Sequence, residues 1–104
     1  MNKPIIVCLC GSARFSKAFR DANLKETLDG KIVLSIGCDT KSDQGLNLTE
    51  DVKIKLDELH KRKIDLADEV LILNVGDYIG ESTRSELNYA KEHNKIIRFL
   101  EEIQ

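Results

Sequence analysis

The segment Gly80-Glu81-Ser82-Thr83-Arg84-Ser85-Glu86 concentrates the residue types that glycosyl and phosphate chemistry needs. A glycine and two hydroxyl side chains at a helix start offer Ser82, Thr83 and free backbone N-H groups to a phosphate or a sugar hydroxyl. A carboxylate one turn further on, Glu86, could then act as nucleophile or base. The same spacing also fits a capping box, with Thr83 as N-cap and Glu86 folding back onto the Thr83 N-H. The helical wheel puts Glu86 about 40° from Ala90, on the edge of the Leu87 and Ala90 face and not opposite it. Spacing alone leaves both readings open.

A second group follows the first apolar run. Gly11-Ser12-Ala13-Arg14 has the form of a strand-to-helix turn, where glycine permits close backbone approach and Arg14 could add a two-pronged phosphate contact. The alternative is an ordinary tight turn with a surface arginine. Phe15 and Tyr78 could flank a nucleobase or simply pack, and Asp39 and Asp43 could contact ribose hydroxyls. Further along, Asp57, His60 and Lys63 fall in or beside the apolar sector that Val52, Leu56, Leu59, Leu66 and Ala67 define on a helix. His60 is therefore a candidate for orienting a ligand. The competing expectation has Lys63 snorkelling, His60 bonded to backbone and Asp57 paired with Lys61. Cys8 and Cys10 share a strand face, with Cys38 further along; Cys-x-Cys with one distant cysteine lacks a persuasive fourth ligand, so these read as small core residues. No metal and no cofactor are expected.

The elements that must position these residues follow from pattern. Ile5 to Cys10 is a continuous apolar run closed by Gly11-Ser12, which suits a strand buried on both faces of a parallel sheet. Phe15, Ala18, Phe19 and Ala22 predict a helix over about 15–28, ended by Asp29-Gly30, with Leu24 off its face. Lys31 to Ile36 predicts a strand, and the polar stretch Gly37 to Asn47 the longest loop. Thr49 predicts an N-cap, with Glu50 and Asp51 at the positive end of a helix that runs to about Leu66. Glu69 to Asn74 predicts a third strand, about 82–93 a third helix, and Lys95 to Phe99 a fourth strand. The order βαβαβαβ predicts one α/β domain over 1–104, a three-layer flavodoxin- or Rossmann-like parallel sheet of about four strands with helices on both faces. In such sheets ligands bind beyond the carboxyl ends of the strands, the end at which the candidate loops lie.

At 104 residues the chain has room for one core. Its 16 basic and 18 acidic residues are scattered, without the block of like charge that a nucleic acid polymer or anionic membrane would require, which points to a small-molecule partner. The first apolar run is too short for a signal peptide or a membrane span, and three cysteines make no disulfide framework, so free thiols and a cytoplasmic location are expected.

Taken together, Cys8-Leu-Cys-Gly-Ser-Ala-Arg14, His60-Lys-Arg-Lys-Ile-Asp-Leu-Ala-Asp68 and Tyr78-Ile-Gly-Glu-Ser-Thr-Arg-Ser-Glu86-Leu-Asn-Tyr-Ala90 resemble the nucleoside 2-deoxyribosyltransferase-like superfamily. The likeness is closest to its small bacterial and phage members and more distant to the N-hydrolases of 2'-deoxynucleoside 5'-monophosphates. It implies a flavodoxin-like fold and a glutamate nucleophile, Glu86, in the setting Glu86-Leu87-Asn88-Tyr89-Ala90. It also implies that Gly11, Ser12, Gly80, Ser82 and Thr83 hold the sugar and any phosphate. Where the hydrolases carry an assisting aspartate this chain has His60, with Asp57 one turn earlier. It also lacks the later segment that completes the pocket in relatives, sometimes from a neighbouring subunit, so a homo-oligomer is expected. A weaker likeness to phosphoribohydrolases stops at their missing Pro-Gly-Gly-x-Gly-Thr. The resulting expectation is cleavage or transfer at an N-glycosidic bond of a nucleoside or nucleotide; the alternative is a non-catalytic nucleotide-binding module that uses the same crevice.

Overall fold

A computed structural model describes residues 3–36 and 49–102. The expected loop Gly37 to Asn47, with Cys38, Asp39 and Asp43, lies outside the described residues. Four strands, β1 (Ile6–Cys10), β2 (Ile32–Leu34), β3 (Glu69–Ile72) and β4 (Ile96–Phe99), alternate with helices α1 (Ser16–Leu28), α2 (Glu50–Leu66) and α3 (Glu81–Glu92). All strand pairs are parallel and the sheet order is β2-β1-β3-β4. This is the α/β arrangement of a three-layer flavodoxin- or Rossmann-like fold.

The two central strands are the apolar runs, as their burial on both faces demands. Side-chain alternation sends Val7, Leu9, Leu71 and Leu73 to one face, where Phe19 and Ala22 of α1 cover them. Cys8, Cys10, Val70 and Ile72 go to the other, against Ile64 and Ala67 on the α2 side and Leu87 and Ala90 of α3. The α1 stripe Phe19, Ala22 and Glu26 is helical in period, and Leu24, off that stripe, is exposed.

Helix α1 ends in a Schellman motif. Gly30, at φ +86°, takes the left-handed conformation that favours glycine, and the N-H groups of Gly30 and Lys31 donate to the carbonyls of Thr27 and Glu26. That turn places Lys31 beside Glu26. Helix α2 begins as expected: the Thr49 hydroxyl accepts from the Val52 N-H at 3.3 Å, with Glu50 and Asp51 in the first turn.

The expected apolar sector of α2 is corrected by the structure. Val52, Leu56, Leu59 and Leu66 are exposed, and the helix buries His60 and Ile64 instead, with Ala67 just past its end. Ile64 is one turn after His60, so the two share a face and carry it onto β1.

Gly11 has a packing reason of its own. A side chain there would bring its Cβ to 2.9 Å from the Leu73 Cβ and 3.3 Å from the Leu73 carbonyl oxygen. The glycine serves the close approach of the chain leaving β1 to the chain leaving β3. Beyond the strands the ladder continues through Leu73 N-H to Cys10 O and Leu100 N-H to Ile72 O, each 2.8 Å, and through the buried Asn74 amide, which pairs with both backbone groups of Glu101. The carboxyl end of the sheet is thereby held firmly where the candidate loops leave it.

Candidate active site at the carboxyl end of β1

Glu86 is buried on the second turn of α3, 8% exposed. It does not cap its helix. The helix starts at Glu81 with Gly80 as N-cap, three residues before the position that a capping box would need, so Thr83 lies inside the first turn and Glu86 beyond it. The capping reading is therefore overturned: Gly80, at φ −75° and ψ 175°, already turns the chain into the helix, and the first helical bond runs from Arg84 N-H to Gly80 O. No side chain among the described residues caps the N-terminus, which leaves the N-H groups of Glu81, Ser82 and Thr83 without carbonyl partners inside the helix. Thr83 is buried and Ser82 exposed.

The Glu86 carboxylate faces three side chains from two other elements. His60 Nε2, on α2, lies 3.9 Å from Glu86 Oε1, 3.4 Å from Cys10 Sγ and 3.7 Å from Cys8 Sγ. The expectation that His60 bonds backbone is thus replaced by contact with two thiols and a carboxylate. Lys63 does reach backbone, donating to Ser35 O at 2.6 Å. Asp57 is exposed, and no pairing with Lys61 is found among the described residues; its charge bears on Glu86.

Burial pushes the Glu86 carboxyl up to about 7, with the charges of Asp57 and Cys8 adding to the rise and His60 and a Cys10 hydrogen bond opposing it. Burial alone disfavours the His60 imidazolium, yet the Cys8 hydrogen bond and the negative charges of Glu86 and Cys8 outweigh it, and His60 holds its proton above the usual histidine range. Between the thiols, a hydrogen bond from Cys10 pulls Cys8 well below an ordinary cysteine, while the same bond and burial drive Cys10 well above. Glu86 thus changes ionisation near neutral pH beside an imidazole whose proton is held more firmly than usual, a setting suited to general acid-base chemistry.

The loops that flank Glu86 meet over the sheet end. Arg14 lies over the Tyr78 ring, 4.6 Å from its centroid, and its Nη2 donates to the Tyr78 hydroxyl at 3.4 Å. Phe15 packs edge-on against the same ring at 5.9 Å. Arg14 Nε donates to Ser12 Oγ at 3.2 Å. Phe15 and Tyr78 thus pack on each other and not as two separate plates, and Tyr78 keeps an exposed flank. Gly80 sits under the Tyr78 hydroxyl, where an added Cβ would come within 3.2 Å. The structure therefore assembles Ser12, Arg14, Phe15, Tyr78 and Gly80 as one group of mutual contacts, and His60 and Glu86 as a buried pair beside Cys10, the residue before Gly11. Asp39 lies outside the described residues.

Sequence reasoning counted Cys38 as the third cysteine of a cluster and overlooked that His60 completes the Cys-x-Cys pair. The signal was present: a histidine inside the face of α2 packs on a strand whose alternate residues are cysteines. No family model matches the chain, and no curated protein matches it.

Proposed function

We propose that the chain cleaves or transfers at the N-glycosidic bond of a nucleoside or nucleotide, with Glu86 as the nucleophile. The observation that carries this reading is Glu86 itself: a buried carboxyl, free of any capping duty, that ionises near neutrality at the carboxyl end of β1. A Glu86 oxygen bonds to the anomeric carbon as the carbon-nitrogen bond breaks, and the electron pair leaves on the base, which takes up a proton. Water or a second base then attacks the anomeric carbon and releases the carboxylate. His60 stabilises ionised Glu86, and Asp57, at the margin, opposes it. The uncapped start of α3, with Gly80, Ser82 and Thr83, and the turn Gly11, Ser12 and Arg14 hold the sugar or phosphate. Phe15 and Tyr78 offer the base an aromatic edge.

The same reading makes the partner a small molecule and the compartment the cytoplasm, in keeping with the free thiols Cys8 and Cys10. Among the described residues no helix is long and apolar enough to cross a membrane. The exposed Leu56, Leu59 and Leu66 of α2 favour a homo-oligomer that covers them.

Incubation with a panel of deoxynucleosides and their 5'-monophosphates, read as free base, tests the proposal. Wild type releases base and Glu86→Ala loses about 10³-fold or more of the rate; no release by wild type, or equal release by the variant, sinks it. A second reading, a nucleotide-binding module without turnover, draws on His60 being turned to the thiols. Tight binding of an intact nucleotide by wild type and Glu86→Gln alike would select it.

A further inference from the structure

We propose that Cys8, Cys10 and His60, with Glu86 as fourth ligand, form a binding site for a thiophilic divalent cation of the zinc class.

Four groups able to bind a metal converge from three rigid elements. Cys8 and Cys10 are alternate residues of β1 and so share one face of the strand. His60 comes from α2 and Glu86 from α3. All four are buried, the two cysteines completely. The ligand atoms of Cys8, Cys10 and His60 lie within 4.8 Å of one another, and they form the one such group of three or more His, Cys, Asp or Glu among the described residues.

The spacing is that of a coordination sphere. Tetrahedral zinc with Zn-S of about 2.3 Å and Zn-N of about 2.0 to 2.1 Å separates sulfur from nitrogen by about 3.6 Å. Here His60 Nε2 is 3.4 Å from Cys10 Sγ and 3.7 Å from Cys8 Sγ. The carboxylate is further out: it lies 3.9 Å from Nε2, where about 3.4 Å is ideal, and outside the group of atoms within 4.8 Å of one another, so the glutamate side chain must swing inward to complete the sphere. Two thiolates, one imidazole and one carboxylate match the donor types of zinc sites.

The donor set is otherwise poorly matched. Thiols are weak hydrogen-bond donors and acceptors, so a buried histidine and glutamate gain little from them. A cation satisfies all four at once, and every proton still carried on a coordinating atom, whether thiol, imidazole Nε2 or carboxyl, leaves to solvent as that atom coordinates. Lys63, close enough for its charge to act on Cys8 and His60, offsets the excess negative charge of the ligands.

This site stands independently of the glycosidic reading. Only one consequence rests on that reading: coordination occupies the Glu86 carboxylate, so a stoichiometric cation suppresses base release and a chelator restores it.

The test uses the full chain, reduced and stripped of metal, titrated with cobalt(II) and then zinc(II). Wild type takes up one cobalt per chain, with thiolate-to-cobalt charge-transfer absorption and the ligand-field bands of a tetrahedral site, and zinc displaces it. Cys8→Ser and Cys10→Ser each weaken binding by more than about 100-fold, the upper end of what loss of even an outer-shell partner costs. Where a serine variant loses its native circular dichroism, His60→Gln takes its place: zinc raises the thermal midpoint of wild type with concentration, and this variant loses most of the rise. No stoichiometric uptake by folded wild type, a spectrum without thiolate absorption, or binding that survives in Cys8→Ser, Cys10→Ser or His60→Gln overturns the proposal. Base release by the metal-free chain is scored separately, so either idea can fail while the other stands.

Discussion

On the α1 face of the sheet Glu26, Lys31, Glu69 and Arg98 meet; on the α2 and α3 face Cys8, Cys10, His60 and Glu86 meet. The first group is made of opposite charges. Lys31 Nζ lies 3.2 Å from Glu26 Oε1 and 3.0 Å from Glu69 Oε1, and Arg98 Nη2 bonds both carboxylates, 2.6 Å from Glu69. Burial alone would raise the Glu26 carboxyl, but Arg98 and Lys31 outweigh it and hold it below its ordinary value. The Lys31 ammonium is raised by Glu69 in turn. With Glu26 lowered and Lys31 and Arg98 raised, these three stay charged throughout the physiological range. In the second group the Glu86 carboxyl is raised to about 7 and His60 is raised as well, so ionisation changes where cells live. Permanent, mutually paired charges serve to hold an element down; groups poised near neutrality and placed against thiols serve to react or to bind.

The sharpest way to break this contrast is to remove Arg98. Arg98→Met leaves the carboxylates of Glu26 and Glu69, 1% and 9% exposed in their side chains, with Lys31 and, 3.6 Å from Glu26, the exposed Lys25. We expect a loss of about 3 kcal/mol in urea unfolding, with little change in base release. A cost near zero would make that cluster ornamental and erase the distinction.

Glu86→Gln should act in the opposite direction. A carboxyl whose folded value is about 7 against an ordinary 4.5 binds its proton more tightly in the folded state, so its contribution to stability declines as pH rises from about 4.5 to 7. The variant and wild type should be similar in stability near pH 4.5, and the variant about 2 kcal/mol more stable at pH 8. His60 and Cys8 titrate in both proteins, and because the Glu86 charge helps to raise His60 the difference between their denaturation curves reports the coupled group in which Glu86 is the residue changed. A difference that stays flat with pH would mean that Glu86 is an ordinary solvated carboxylate.

The smallest expected effect separates the clusters by element. Thr49→Ala removes the cap of α2, the helix that brings His60 to the thiols, at a cost of about 1 kcal/mol. Hydrogen exchange should rise in α2 and stay unchanged around Arg98; equal loosening of both regions would show that they are not independent.

The contrast between the clusters also marks what the amino-acid order disclosed. Strands such as Ile6–Cys10 and Glu69–Ile72 were legible because central parallel strands must be apolar on both faces, and the start of α2 because Thr49 precedes two acidic residues. The turn into α3 stayed ambiguous because Thr83 and Glu86 mimic a capping box, whereas Gly80 starts the helix earlier. The face of α2 was misread because its leucines outnumber Ile64, though they remain exposed. Glu26 and Arg98 went unnoticed altogether: each resembles a surface residue until the fold brings positions 72 residues apart into contact. His60 and Glu86 were found as candidates, while their partners Cys8 and Cys10 were set aside as core.

Strand β1 lies inside the sheet, yet in the chain it precedes both of its neighbours. During synthesis its apolar residues emerge with neither edge paired, and the contact from the Ile6 N-H to the Asp68 carboxylate must wait for a separation of 62 residues. Folding of this domain therefore includes closing a long loop, and until β3 is made the nascent chain exposes a thiol-bearing strand with the edge that β3 covers still open, the stage at which it is most in need of protection from aggregation and oxidation.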